Sequence, residues 1–116
     1  MNVEQEIKQG VKSLVELLVN EKYDELDKMD KIGVLTAVEV EEAIIQYGEK
    51  ITIPPDEAYD EMDIFKIDNP EKYREEFSVD FDLWTNNHKS DLTLSCEAFI
   101  NEKAEATVTI YSIQVL

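Results

Sequence analysis

Apolar and polar residues alternate most regularly in the last third of the chain. Phe77, Val79, Phe81 and Leu83 alternate with Ser78, Asp80, Asp82 and Trp84, a period of two that puts large apolar side chains on one face of a half-buried strand over Phe77 to Trp84. A second run, Leu92 to Phe99, repeats it with Leu92, Leu94, Cys96 and Ala98 against Thr93, Ser95, Glu97 and Phe99. The third, Ala106 to Val115, carries Val108 and Ile110 and then Ile113 and Val115, so its apolar parity shifts near Tyr111 and Ser112, as a bulge would make it. Polar turns are expected at Thr85 to Ser90 and at Asn101 to Lys103, giving an antiparallel meander.

Upstream the period changes to that of helices. Asn2 and Gln5 have the spacing of a capping box, and Val3, Ile7, Val11, Leu14 and Leu18 recur at steps of four and three, predicting a helix to about Val19. Val15 and Leu17 widen its apolar face, so it should lie on a sheet. A shorter helix is expected from Glu21 to Met29, with Tyr23, Leu26 and Met29 inward. Thr36 and Glu39 form another capping-box pattern, opening a helix whose inward positions would be Val38, Val40, Ile44, Ile45 and Tyr47, ended by Gly48. Ile51 to Ile53 reads as a short extended piece stopped by Pro54 and Pro55. Met62, Ile64 and Ile67 indicate another extended segment, although Phe65 breaks its alternation. Asn69 and Pro70 mark a turn, and Glu71 to Glu76 a single helical turn.

Helices first and strands second is the order of an α+β domain, with N-terminal helices packed on one face of a C-terminal antiparallel meander of three to four strands. The 116 residues suit one domain, 1–116, able to bury roughly two-thirds of its extended-chain surface. The other face of the meander would then present Asp80, Asp82, Trp84, Thr93, Ser95, Glu97, Thr107 and Thr109.

Charge alters this picture. There are 27 acidic against 11 basic residues, a net of −16, with Arg74 the single arginine. Such a balance opposes binding to nucleic acid or anionic membrane and favours a cationic partner, though it also serves solubility alone. Hydrophobic residues at 43% are too many for a disordered acidic chain. The single cysteine, Cys96, falls in register with buried leucines and cannot make an internal disulfide. No basic-then-apolar leader opens the sequence and no apolar run approaches the roughly 20 residues of a bilayer span, so a cytoplasmic protein is expected.

Catalytic patterns are sparse. Counting a calcium loop from Lys28 puts Gly33 and Glu39 at acceptable positions, but Lys28 and Ile32 stand where oxygen ligands are needed. His88, the only histidine, lies in a turn and has no second histidine to share a metal. Asp80 and Asp82 share a strand face roughly 7 Å apart, a spacing open to paired-acid chemistry or to a plain wet surface. Trp84 on the same face needs cover, either from a curled sheet rim or from a partner. The glycines, at 10, 33 and 48, form no phosphate loop, and no nucleophile elbow is present. No cofactor and no metal are expected, and the chain reads as a non-enzyme.

The run Phe81-Asp82-Leu83-Trp84-Thr85, the segment Ser90-Asp91-Leu92-Thr93-Leu94, the closing Ile113-Gln114-Val115-Leu116 and the helix Leu35 to Gly48 together resemble a group of small uncharacterised bacterial α+β proteins. The order of helices and meander is also similar to the cystatin-like, nuclear-transport-factor-like cone. The first resemblance implies a bacterial source and no particular activity; the second is compatible with pocket enzymes and binding modules alike. Two functions are carried forward. One is a non-enzymatic acidic binding protein of the immunity or antitoxin type that masks a basic protein such as a toxin domain, using Asp56, Glu57, Asp60, Glu61, Asp63, Asp80, Asp82 and Trp84. The other is a small-ligand-binding protein or pocket enzyme of the cone type, binding or converting a small apolar molecule between helices and sheet, its mouth lined by Tyr23, Tyr47 or Phe81.

Overall fold

The computed structural model of the chain describes residues 2–68 and 75–116. Helix α1 (Val3–Val19) starts where the sequence places it, with the Asn2 side chain accepting from the Gln5 amide at 2.8 Å. Its face of Ile7, Val11, Leu14, Val15 and Leu18 is buried. The helix lies so close to the sheet that a Cβ on Gly10 would stand 2.4 Å from Cγ2 of Val108. Any side chain there would push helix and strand apart, which is why a glycine interrupts an otherwise strong helix former.

Helix α2 is shorter than its pattern suggests, Tyr23–Lys28, and buries Leu26 alone. Met29 lies beyond it at 53% exposure, which corrects the inward position expected of it. Helix α3 (Ala37–Tyr47) has both arms of its capping box, Glu39 N–H to Thr36 Oγ1 at 3.1 Å and Thr36 N–H to Glu39 Oε1 at 3.0 Å. It ends at Gly48 with φ 87°, a left-handed cap that suits glycine. Its inward face is narrower than expected. Val40 and Ile44 are buried, whereas Val38 and Ile45 stand 64% and 66% exposed. The helix packs against α2 and one end of the sheet, too little surface to cover a second apolar row.

Five strands form one antiparallel sheet: β1 (Ile51–Thr52), β2 (Asp63–Ile67), β3 (Glu75–Thr85), β4 (His88–Ile100) and β5 (Ala106–Val115). Both β1 and β2 pair along the same edge of β3, which continues to β4 and then β5. Ile53, expected to be extended with β1, falls outside it and is exposed. The expected turn at Asn69 and Pro70 and the residues Glu71 to Arg74 of the expected helical turn lie outside the described residues; Glu75 and Glu76 belong to β3, which corrects that part. The six-residue turn expected at Thr85 to Ser90 is a two-residue one. Asn86 and Asn87 have φ of 48° and 65°, the left-handed pair that a tight hairpin requires and that asparagine tolerates.

The parity shift in β5 is a bulge: Ser95 faces Ser112 and Cys96 faces Ile110, leaving Tyr111 over. A second irregularity sets Leu83 of β3 against the stretch between Lys89 and Thr93. There Ser90 Oγ donates to the Leu83 carbonyl at 2.6 Å and accepts from the Leu92 amide at 3.1 Å, so the bulge keeps its polar groups satisfied. The far edge of β5 is clipped at its middle: Ile110 N–H donates to the Lys31 carbonyl at 2.7 Å and its carbonyl accepts from Gly33 at 2.9 Å.

All the described helices lie on one side of the sheet. Their apolar faces meet Val79, Phe81, Leu83, Leu94, Cys96, Ala98, Val108, Ile110 and Ile113 in a continuous core. The acidic segment after Pro54 and Pro55 is a 3-10 helix, Asp56–Glu61, bridging β1 and β2. Tyr59 within it stacks on Phe81 with ring centroids 5.0 Å apart and planes 7° from parallel, fixing the bridge to the core.

Candidate functional site: the outer face of the sheet

Residues directly opposite in an antiparallel pair share a face. Asp63 faces Asp80, Asp80 faces Ser95, and Ser95 faces Ser112; one step along, Asp82 faces Thr93. Alternation places Phe65, Ile67, Trp84 and Glu97 on that same side, with Asp63 and Phe65, on the edge strand, also bordering a cleft against α1. The register thus assembles an acidic surface with an aromatic residue toward each end. Phe65 is 56% exposed, while Trp84 is half-buried and leans against the core.

Two features of this face exceed what folding needs. Like charges directly opposite on neighbouring strands are destabilising, yet Asp63 and Asp80 are paired in that way. The two carboxylates on β3 are also fixed in place, Asp80 Oδ1 accepting from Ser95 Oγ at 2.7 Å and Asp82 Oδ1 from Thr93 Oγ1 at 3.2 Å. Such donors limit the rotamers that the two side chains sample. Lys89, across from Trp84, reaches Glu61 at 3.2 Å and Asp82 at 3.8 Å. The hydrogen bond to Glu61 foremost, with Asp82 adding to it, raises the lysine pKa. Both pairs are solvent-exposed and contribute little to stability.

The sequence-predicted acids divide between two sides of the molecule. Asp63, Asp80, Asp82 and Trp84 come together on the outer face, with Glu61 joined to them through Lys89. Asp56 and Asp60 turn instead toward α1, where Lys12 and Lys8 lie 3.4 Å and 3.1 Å away. Glu57 is exposed between them. Phe65 was missed by sequence reasoning; its signal was the alternation Asp63, Phe65, Ile67, which makes sense only as an outward-facing row.

Phe81 is 2% exposed beneath Tyr59 and lines no mouth, in contrast to the pocket expected of it. Clefts are found at the rim: about 490 Å³ between α1 and β2, lined by Val3, Ile7, Met62, Ile64, Phe65 and Phe77, and smaller ones beside Tyr23 and Tyr47. Cys96 is 1% exposed, and burial drives its thiol pKa up, which keeps it from acting as a thiolate nucleophile. Among the described residues no three His, Cys, Asp or Glu side chains converge as metal ligands would. No described helix is long and apolar enough to cross a membrane.

Tyr59 carries a pH signature. Burial foremost, then the Glu16 and Asp56 carboxylates, pushes its phenol up from 10 to about 12. An acid whose folded pKa is raised favours the folded state fully below the unfolded value and loses that contribution between the two. Stability should therefore fall from pH 10 to 12, and Tyr59→Phe should flatten that part of the curve in thermal melts followed by circular dichroism. An identical alkaline slope in both proteins would refute this.

The domain family described as Domain of unknown function (DUF7668) matches residues 15–116. The match begins inside α1, although Ile7, Val11 and Leu14 ahead of it are buried in the same core. No curated protein and no solved structure matches the chain.

Proposed function

We propose, from the premise that the chain belongs to the DUF7668 family, that it is a non-enzymatic acidic binding protein of the immunity or antitoxin type, which masks a basic partner protein. The outer sheet face carries this reading: Asp63 and Asp80 stand in a repulsive cross-strand pair, beside a fixed Asp82 and the partly covered Trp84. A cationic surface laid on that face relieves the repulsion and covers the aromatic ring, so binding gains what the free fold lacks. The net charge of −16 would speed encounter with such a surface and repel nucleic acid.

The test is affinity capture from the native cell at low salt with the full chain, run beside Asp63→Asn/Asp80→Asn/Asp82→Asn. The expected result is one basic protein retained in stoichiometric amount and released by salt, with association slowed about tenfold by the triple amide. Equal retention and equal salt dependence of the variant would remove the face from the interface. Retention of nothing stoichiometric by either protein would overturn the masking role.

A further inference from the structure

A second surface lies on the helical side of the molecule, independent of the sheet face. Val38, Glu41 and Ile45 follow one another along α3 at steps of three and four, so they form one stripe. The two apolar members are 64% and 66% exposed. Beside the stripe run two adjoining clefts of about 210 Å³ and 370 Å³ that share Glu21 and Tyr23. The apolar row thus borders a groove with a half-buried aromatic floor.

The rim of the groove is charged in one sense. Glu21, Asp24, Glu41 and Glu49 line it against Lys50 alone. The field reaches the floor, where burial first and then the Glu21 and Glu41 carboxylates raise the Tyr23 pKa. A second copy of the chain is a poor occupant, since each copy brings a net charge of −16 and would set acids against acids. Helix α3 has 11 residues, a length of about 16 Å at 1.5 Å per residue, which suits about three turns of a helix laid alongside.

We infer that this groove docks a basic amphipathic helix of a partner protein. Its apolar side chains seat against Val38, Ile45 and Tyr23, and its lysines or arginines meet the acidic rim. This is helix-in-groove recognition with charge complementarity selecting the partner.

The probe is a synthetic 15-residue peptide with leucines at steps of three and four and lysine or arginine between them, compared with a scrambled peptide of the same composition. Binding is read by fluorescence anisotropy at physiological salt and mapped on the backbone amide spectrum. The ordered peptide should bind at least tenfold tighter than the scrambled one and perturb Glu21 to Asp24 and Ala37 to Gly48. Val38→Asp/Ile45→Asp should weaken it at least tenfold even though the substitutions add negative charge. Both positions are exposed, so an unchanged melting temperature confirms that the variant is folded. Equal binding of the scrambled peptide, an unaffected variant, or perturbation centred on β3 and β4 would overturn the proposal. So would a dimer of the free protein in sedimentation that the two substitutions abolish.

Discussion

Phe81→Ala should destabilise the domain by about 3–5 kcal/mol. Phe81 is 2% exposed on the central strand β3, and its ring is covered by that of Tyr59 at 5.0 Å. Truncation removes the transfer free energy of the ring, leaves a cavity that a close-packed sheet fills only in part, and ends a stacked contact that contributes about 0.5–1.5 kcal/mol by itself. Tyr59 is also, with Ala58, a buried attachment of the 3-10 helix, so the bridge between β1 and β2 loosens with it. A domain of this size has about 5–15 kcal/mol in total, and the loss would be plain as a lower urea midpoint at unchanged slope. A shift worth less than 1 kcal/mol would mean that the stack does not anchor the bridge.

Trp84→Ala should weaken binding of the basic partner about 30-fold or more, the equivalent of about 2 kcal/mol. The effect is expected in dissociation, because a seated aromatic ring slows escape, whereas Asp80→Asn/Asp82→Asn should act on association through the long-range field. Trp84 also leans on the core, so a folding defect has to be separated from a binding defect. Trp84→Phe keeps most of the ring and should recover most of the affinity, and melting curves report the fold directly. If Trp84→Ala slows association and leaves dissociation alone, the ring is not the anchor.

These expectations rest on features that the sequence disclosed unequally. The alternation in β3 and β4 and the parity shift at Tyr111 were legible because one face of the sheet is buried and the other is wet, and a period of two records that division. The same logic misjudged α3. Val38 and Ile45 are apolar, and an apolar residue on a helix reads as inward unless something external explains it; here the helix has too little neighbouring surface to cover both. The hairpin turn was overestimated because His88 and Lys89 are polar and exposed, although Asn86 and Asn87 alone satisfy the left-handed backbone.

The acidic residues show the limit most clearly. Along the chain Asp56 to Asp63 looks like one charged patch. Its division follows from Lys8 and Lys12, which lie 52 and 44 residues from the aspartates they meet. No local pattern encodes such a pairing. Asp63 and Asp80 come to share a face only through the register of β2 on β3.

The approach of α1 to β5 also bears on the order in which the protein can assemble. The β3–β4 hairpin closes through two residues, a local event that needs little of the chain. The face of α1, with Gly10 against Val108, has its partner about a hundred residues away in the last strand. The apolar side of α1 is thus completed only by a strand far downstream of it, and until β5 is laid down Ile7, Val11 and Leu14 lack part of their native cover.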